Sequence, residues 1–574
     1  MADKQPLLVI HQHDKELPHI EEYDTSALRN ASHESYLAAS AAAARQRRRQ
    51  AVRRVHFLGF LLLLVTGFYT HGFGLPKLAS TFCHWSSGYL HDRPGSDGFL
   101  HIGSTPLEGP LVLPDSPQCV LRDGSSEPHT YPLASYPLTF GHDHGLTVLQ
   151  NASRHIDLPD GPPDNDDNDL DFFWQQVHTT GEVVVRKTDD EKEPSVEVEA
   201  LSSDERIRIK VVFDKETQRL SVVVDERIWV EREHWRDGRG ACLVVRVTVW
   251  VPAAHLETFR VGAVHLGVQL LEDLDLVVDD AARLTSVAGS IVAARSLKGE
   301  SSGQSASSKN AKKHCNDVES FTFDPEYRFE ATQLDLITTS GSIRGPWSLL
   351  DRLHIASVSG SVSVAVRAKG EEKDNGDLAD LRIETVSGSI GFEEVKADEQ
   401  DNSPRPHRLT LSTKSGTVHG SGSFAELGHV SSISGNVAVA LTPRKLAVDS
   451  SSDDERAKLD LSTVSGKTDV YLLKEAHNEP IDFLDSSHHA VSGAISLHYP
   501  ASWVGDIHME TLSGKLVAEG KDVHVVPDNS PSWPPKVRRK LDAVKESRHS
   551  KDDSQRSSLK ANTVSGNVEL SFPE

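Results

Sequence analysis

Hydrophobic and polar positions alternate in short runs through the second half of the chain, and the runs recur around a small residue followed by glycine. In most copies the residues seven and five positions before the glycine are apolar, and the residue three before it is a hydroxyl or another small residue. This period of two predicts a strand with one buried face. The repeat glycines are Gly289, Gly341, Gly360, Gly388, Gly416, Gly435, Gly466, Gly493, Gly514 and Gly566.

The apolar pattern changes parity at each glycine. After Gly388, for example, the apolar residues Ile390 and Phe392 fall two and four positions later. In a straight strand these side chains would point to the opposite face from those before the glycine. The sequence therefore predicts a bulge or corner at each glycine, with glycine favoured because it can adopt a positive φ there.

The intervals between successive glycines run from 19 to 52 residues. Repeats of roughly 20–30 residues favour an all-β fold, a parallel β-solenoid of β-helix type whose strands stack coil upon coil. The signatures of leucine-rich repeats and of calcium-binding nonapeptide repeats are missing, and a β-sandwich remains the alternative. Nine of the ten glycines follow a serine. So many equivalent serines argue against a nucleophile and favour hydroxyls that bond to the turn backbone.

The repeated Thr-Val-Ser-Gly-(Ser/Asn/Lys)-Val units resemble the DUF4097 family, an adhesin-type β-repeat domain of bacterial and fungal surface proteins. The segment 245–261, in which a strand, a proline and a second strand lead into the first repeat, is also similar to that family. The resemblance covers roughly residues 240–574. It implies a β-repeat fold and an adhesive role, and it brings no catalytic, cofactor-binding or metal-binding residues.

Residues 55–75 form an apolar stretch that is long enough to span a bilayer. Six arginines lie directly upstream of it, whereas the matching downstream stretch has only Lys77 and Arg93. The positive-inside rule predicts a single-pass type II signal anchor, with a cytosolic N-terminus and the remainder extracellular or lumenal. A buried helix or the core of a cleaved signal peptide is the alternative, and the 54 preceding residues disfavour cleavage.

Charge is distributed unevenly about this segment. Residues 1–54 carry nine Lys and Arg against seven Asp and Glu, a net charge of about +2. Because the whole chain carries −23, the remaining residues carry −25. A strongly acidic main part argues against binding nucleic acid through a general basic field. The expected partners are the membrane and a glycan or surface protein.

Four cysteines, Cys83, Cys119, Cys242 and Cys315, all follow the predicted anchor. An even number in an oxidising compartment allows two disulfides, of which Cys83–Cys119 and Cys242–Cys315 would be the more local pairing. The sequence alone does not determine the pairing. Asn151-Ala-Ser is a glycosylation sequon on the same side of the membrane.

The composition changes along the chain predict five regions. Residues 1–54 are a polar, Arg-rich cytosolic tail, and 55–75 the transmembrane anchor. Residues 76–170, rich in Gly, Pro and Asp, are read as a stalk, and 171–280 as a β-rich module or N-terminal cap. Residues 281–574 are the repeat region, with flexible insertions near 296–319 and 521–558.

Candidate chemistry is sparse. His142-Asp-His144 and His488-His489 are the tight histidine clusters, and two neighbouring histidines without further ligands do not predict a metal site. The residues six positions before the repeat glycines are predicted to form a column on the exposed face of the strands. This column mixes positive and negative charges and shows no paired carboxylates. The sequence also contains no phosphate loop and no nucleophile elbow. That column comprises Asp335, His354, Arg382, Thr410, Asp460, His508 and Lys560.

From these observations we predict no cofactor, no metal and no enzyme activity. The sequence favours a surface protein that acts in adhesion, cell-wall contact or scaffolding. A carbohydrate-active β-helix enzyme, a polysaccharide lyase or hydrolase, is the alternative.

Overall fold

A computed structural model describes residues 9–10, 110–114, 119, 127–153, 172–188, 192–231, 240–295, 327–369, 378–395, 405–445, 456–474, 480–526, 539–546 and 556–573. All of them belong to one compact unit formed by Met1–His11 and Ser104–Glu574. The second unit, Gln12–Gly103, lies outside the described residues, and so does the predicted anchor at 55–75. No helix in the described ranges is long and apolar enough to cross a membrane.

The described part of the chain is all-β, with its strands in two sheets of 17 strands each. Sheet one contains β1 Val9–Ile10, β4 Gly141–Ser153, β7 Ile209–Asp214, β8 Arg219–Asp225, β11 Ala254–Ala263, β13 Asp275–Ser286, β15 Arg328–Thr338, β17 Arg352–Ser357, β19 Ala379–Thr385, β21 His407–Ser415, β23 Leu427–Ser434, β25 Ala457–Ser465, β27 Leu484–Ser492, β29 Gly505–Ser513, β31 Val523–Val526, β32 Arg539–Lys545 and β33 Ser557–Ser565. Sheet two contains β2 His129–Thr130, β3 Ala134–Pro137, β5 Phe172–Lys187, β6 Ser195–Ser202, β9 Arg227–Glu231, β10 Ala241–Val251, β12 Gly267–Leu271, β14 Ile291–Arg295, β16 Ile343–Leu349, β18 Val362–Ala368, β20 Ile390–Glu394, β22 Val418–Phe424, β24 Val437–Pro443, β26 Thr468–Leu472, β28 Ile495–His498, β30 Leu516–Gly520 and β34 Val568–Phe572.

Each repeat contributes one strand to each sheet, and its glycine lies at the corner between them. In the Gly388 repeat, β19 precedes the corner and β20 follows it, and both pair in parallel with the equivalent strands of the neighbouring repeats. Ile383 before the corner and Phe392 after it are both fully buried. The predicted strands, their parallel stacking and the change of parity at a corner are therefore confirmed.

The reason for glycine at the corner differs from the predicted one. A Cβ atom on Gly388 would lie 1.9 Å from the carbonyl oxygen of Gly360 in the adjacent repeat. The same overlap with a neighbouring glycine recurs at all the other repeat glycines except Gly289, where the obstructing carbonyl is that of Leu266. Only four of the ten have a φ in the left-handed region, so close stacking of backbones, and not a positive φ, excludes a side chain.

A ladder of buried hydroxyls runs beneath the glycine column. Thr385 Oγ1 lies 2.6 Å from the Gly388 carbonyl oxygen and 2.9 Å from Thr413 Oγ1, which in turn lies 3.2 Å from the same carbonyl. These hydroxyls satisfy corner carbonyls that face the core and would otherwise lack a partner. The serine immediately before the glycine points outward, and the Ser387 hydroxyl donates to the Val358 carbonyl at 3.2 Å. Its predicted role in bonding the turn backbone is confirmed there.

The last repeat is not at the end of the stack. Strand β33 pairs in parallel with β27 on one side and β29 on the other, and β34 pairs with β28 and β30. The corner glycines follow the same order, because a Cβ on Gly566 would meet the Gly493 carbonyl and one on Gly514 would meet that of Gly566. The expectation that repeats stack in sequence order is therefore wrong at this point.

Antiparallel strands lie at the near end of both sheets and at the far end of sheet one. At the far end β32 pairs antiparallel with β29, and β31 pairs antiparallel with β32. Both strands come from the predicted 521–558 insertion, so part of it covers the edge of the Gly514 repeat. At the near end β6 pairs antiparallel with β10, and β7 with β8.

Two expectations for the region before residue 254 need correction. Residues 127–153, placed in the predicted stalk, form β2, β3 and β4 within the two sheets, where Leu146 and Val148 are buried. Cys119 is bonded to Cys242 across a Cα–Cα distance of 5.3 Å and a sequence separation of 123 residues. The more local cysteine pairing is therefore wrong, because the fold brings residue 119 beside the start of β10. Cys83, Cys315 and the 296–319 insertion lie outside the described residues.

His488 is an uncharged group within the core at β27. Its side chain is fully buried, and its Nε2 atom lies 2.9 Å from the Tyr499 hydroxyl. Burial, with a smaller contribution from the neighbouring His489, lowers the pKa of His488 to about 3. Since the folded pKa lies below the ordinary value of 6.5, the unfolded chain takes up a proton first as the pH falls.

We expect this histidine to destabilise the fold in acid. The part of the free energy of unfolding that depends on neutral His488 is constant above pH 6.5 and falls as the pH drops from 6.5 to about 3. At pH 5 the loss is about 2 kcal/mol. Denaturant unfolding of the protein and of His488→Gln, measured at pH 7 and pH 5, checks this value. Glutamine keeps a hydrogen-bonding group toward Tyr499 but does not titrate. An equal loss of stability in both proteins would contradict the prediction.

Candidate ligand-binding surface

A groove of about 340 Å³ lies on the outward face of sheet two, where the last repeats stack. The parallel register aligns two rows of outward residues across β24, β26, β28, β34 and β30, three and five positions after the corner glycines. The first row is Ala438, Asp469, Ser496, Glu569 and Val517, and the second is Ala440, Tyr471, His498, Ser571 and Glu519. The groove is therefore built from five stacked repeats, those of Gly435, Gly466, Gly493, Gly566 and Gly514, that share one strand geometry.

An aromatic pair forms the centre of this surface. The rings of Tyr471 and His498 are stacked with centroids 4.5 Å apart and an interplanar angle of 14°. His498 Nδ1 also lies 2.8 Å from the Ser571 hydroxyl, which fixes the ring across the inserted strand β34. Because the two residues occupy equivalent positions of neighbouring repeats, the stack follows directly from the register.

Charged groups surround the aromatic pair. Lys467 Nζ lies 2.8 Å from an Asp469 carboxylate oxygen. The hydrogen bond with Asp469 raises the pKa of Lys467, and the more distant charge of Glu569 adds to the effect. The groove thus offers two lysines, three carboxylates and two serine hydroxyls beside an aromatic face.

A second depression, of about 430 Å³, adjoins the first and shares Tyr471 and His498 with it. Its walls are more apolar and include Leu472, Tyr499 and Pro573. The stacked rings therefore separate a polar half from an apolar half of one continuous surface.

The residues singled out from the sequence do not come together here. The column six before the glycines lies on sheet one, where it forms mixed ion pairs such as Arg352 with Asp335 at 2.9 Å. His488 is buried, whereas its neighbour His489 is exposed and hydrogen-bonded to Ser487. Asn151 is exposed on β4, and its glycosylation stays a prediction.

An exposed apolar ridge runs along the corners, two residues before the glycines. Its side chains are between 39 % and 51 % exposed, and Thr339 and Lys414 interrupt the row at the Gly341 and Gly416 repeats. Exposed apolar patches of this kind are typical of interaction surfaces. The ridge comprises Val287, Val358, Val386, Ile433, Val464, Val491, Leu512 and Val564. Sequence reasoning overlooked it, although the valine before Ser-Gly is visible in most copies.

Comparisons with known proteins add little to this description. No protein-family model matches the chain, so the resemblance to DUF4097 stays a prediction, and no curated protein matches it. Among solved structures, a "putative cell adhesion protein" from Clostridium sporogenes aligns at 7% identity. The alignment covers 78% of this chain and all of the other, with a TM-score of 0.13.

Proposed function

We propose that this protein is a non-catalytic, adhesin-like surface protein, a β-solenoid that binds glycan through the groove around Tyr471. The observation that carries the proposal is the stacked Tyr471–His498 pair beside Asp469, Glu569 and Ser571 on an open sheet face. Sugar rings have apolar faces that pack on aromatic rings, and their hydroxyls bond to carboxylates and hydroxyls. The surface offers both kinds of partner within one groove.

The repeat architecture supports a binding role. Strands at a regular spacing of about 4.8 Å present equivalent outward positions at equal intervals. A polymer with its own repeat can contact several such positions at once, which increases avidity without a deep pocket. The acidic composition, with a net charge of −23, disfavours polyanionic ligands and favours neutral or basic glycans.

The test is glycan binding by the full chain and by Tyr471→Ala. We expect Tyr471→Ala to weaken binding about fivefold, since loss of an aromatic contact costs on the order of 1 kcal/mol. Tyr136→Ala is the matched control, because Tyr136 is also stacked, on Phe213 at 5.0 Å, but lies in β3 outside the groove. Equal binding by all three proteins would refute this groove as the site.

A carbohydrate-active enzyme is the second candidate, and one observation favours it. Asp469 and Glu569 face the same groove from strands that are two positions apart, about 9.6 Å between backbones. Inverting glycosidases separate their two carboxyl groups by about 6.5–9.5 Å, so the two side chains would have to lean toward each other to reach that range. Release of reducing sugar that Glu569→Gln abolishes would establish catalysis, whereas binding without release supports the adhesin.

We further propose that residues 55–75 anchor the protein in a membrane, with the repeats on the extracellular or lumenal side. The apolar stretch and its upstream arginines support this orientation. Protease protection of the repeats in sealed vesicles tests it. Protease access to an N-terminal tag is scored separately, because the proposed orientation leaves residues 1–54 on the opposite, cytosolic side.

A further inference from the structure

Three side chains with metal-binding groups meet on the outward face of sheet one, far from the groove. They are His142 of β4, His255 of β11 and Asp279 of β13, and their donor atoms all lie within 4.8 Å of one another. His142 Nδ1 lies 2.5 Å from one Asp279 oxygen, and His255 Nδ1 lies 3.1 Å from the other. The two imidazole rings are 4.5 Å apart between centroids.

Irregular pairing of three adjacent strands creates this cluster. Between Leu256 and Thr258 of β11, the register gains two extra residues in β4 and one in β13. His142 lies in the extra length of β4, and Asp279 lies in the bulge of β13. Bulges re-aim side chains that a regular pleat would separate, and they are common beside functional sites.

The neighbouring strand stabilises the bulge. The Thr332 hydroxyl of β15 donates to the Asp279 carbonyl at 2.6 Å, and β13 has the same extra residue relative to β15. On the other side, β4 packs closely against β11 where regular pairing resumes. A Cβ atom at Gly145 would lie only 2.5 Å from the Thr258 hydroxyl oxygen. The backbone that carries the three side chains is therefore fixed on both sides.

We propose that His142, His255 and Asp279 form a binding site for a divalent transition metal of the zinc class. Two imidazole nitrogens and one carboxylate suit Zn²⁺, Co²⁺, Ni²⁺ or Cu²⁺, whereas Ca²⁺ and Mg²⁺ prefer oxygen ligands alone. Donor atoms about 2.0–2.1 Å from a tetrahedral ion are about 3.4 Å apart. The present spacings reach this arrangement by rotation of exposed side chains, without movement of the strands.

The geometry also defines the type of site. The side chains of His142, His255 and Asp279 are 74 %, 44 % and 34 % exposed, so the ion would keep at least one position open to water. A site with three protein ligands and an open position can accept a further ligand from a bound molecule. It is independent of the proposed glycan groove, because the two lie on different sheets.

The experiment measures zinc binding by the full chain after removal of metal with a chelator, in competition with a chromophoric zinc indicator. We expect one equivalent of zinc whose affinity falls at least about tenfold in His255→Ala and in Asp279→Asn. His144→Ala is the matched control. His144 is a partly exposed histidine of the same β4 segment outside the cluster, and its substitution should leave this equivalent unchanged.

Two further measurements separate a metal site from a hydrogen-bonded strut between strands. Zinc should raise the unfolding temperature of the unsubstituted protein and of His144→Ala, but not that of Asp279→Asn. Cobalt(II) should give visible absorption bands that His255→Ala loses. Zinc binding of equal stoichiometry and affinity in all variants, or no zinc binding in the folded full chain, would overturn the proposal.

Discussion

Removal of residues 556–574 is expected to destabilise the protein far more than the loss of an end repeat would. Strands β33 and β34 lie between two other repeats, so their removal opens β27 and β28 on one side and β29 and β30 on the other. The loss includes five buried apolar side chains, worth on the order of 10 kcal/mol before other terms. They are Leu559, Ala561, Val568, Leu570 and Phe572.

That loss is comparable with the whole net stability of an ordinary domain, about 5–15 kcal/mol. We expect the truncated chain to unfold at a lower temperature and to aggregate through its open strand edges, as seen by calorimetry and light scattering. Truncation of Pro573 and Glu574 alone is the control, because it leaves β34 intact. Unchanged stability of the longer truncation would mean that β29 docks directly on β27.

Engineered cysteine pairs test the strand order itself. Ser487 pairs with Lys560 across β27 and β33, and Lys560 pairs with His508 of β29. Cysteines at 487 and 560 should therefore form a disulfide, whereas cysteines at 487 and 508 are two strands apart, about 9.6 Å, which is too far. The reverse result would show that the repeats stack in sequence order.

Gly388→Ala is the second substitution with a large expected effect. The added Cβ would lie 1.9 Å from the Gly360 carbonyl oxygen and 2.6 Å from its carbon, and both are backbone atoms that cannot rotate away. Backbone bonds flank the contact on both sides, from Ser387 N to the Val358 oxygen and from Val362 N to the Ser389 oxygen, each 2.9 Å. Separation of the two repeats would stretch both bonds.

We expect this methyl group to cost more than about 4 kcal/mol, in the range reserved for overpacking and broken hydrogen-bond networks. Denaturant unfolding gives the value. The control is Gly391→Ala in the same repeat, whose Cβ would meet the movable His419 ring at 3.0 Å and therefore should cost much less. Equal effects of the two substitutions would show that stacking does not select glycine at the corner.

Much of the fold follows from local pattern. The alternation before each glycine, the change of parity after it and the hydroxyl three residues earlier determined the strands, the corner and the buried face in the Gly388 repeat. The reason for the glycine could not be read from one repeat, because it lies in the carbonyl of the adjacent one. The order of the last repeats was also hidden, since β27, β29 and β33 share the same pattern and each could pair with the others.

The candidate sites were harder to predict from the sequence than the fold. Tyr471 and His498 meet because they occupy the same position in consecutive repeats, and a comparison of outward columns on sheet two would have found them. His142 and Asp279 are 137 residues apart and come together only through register shifts that no local pattern marks. The sequence showed His142 only as a member of a pair with His144, which lies outside the cluster.

The position of β33 and β34 also constrains how the protein assembles during synthesis. A repeat array can in general fold from its first unit onward as each new unit leaves the ribosome. Here residues 505–520 are made before residues 557–572 but lie beyond them in the stack. The Gly514 repeat and its covering strands must therefore wait, or dock early and then be displaced, until the last strands have been synthesised. Slow final folding that depends on residues 557–572 is the kinetic consequence.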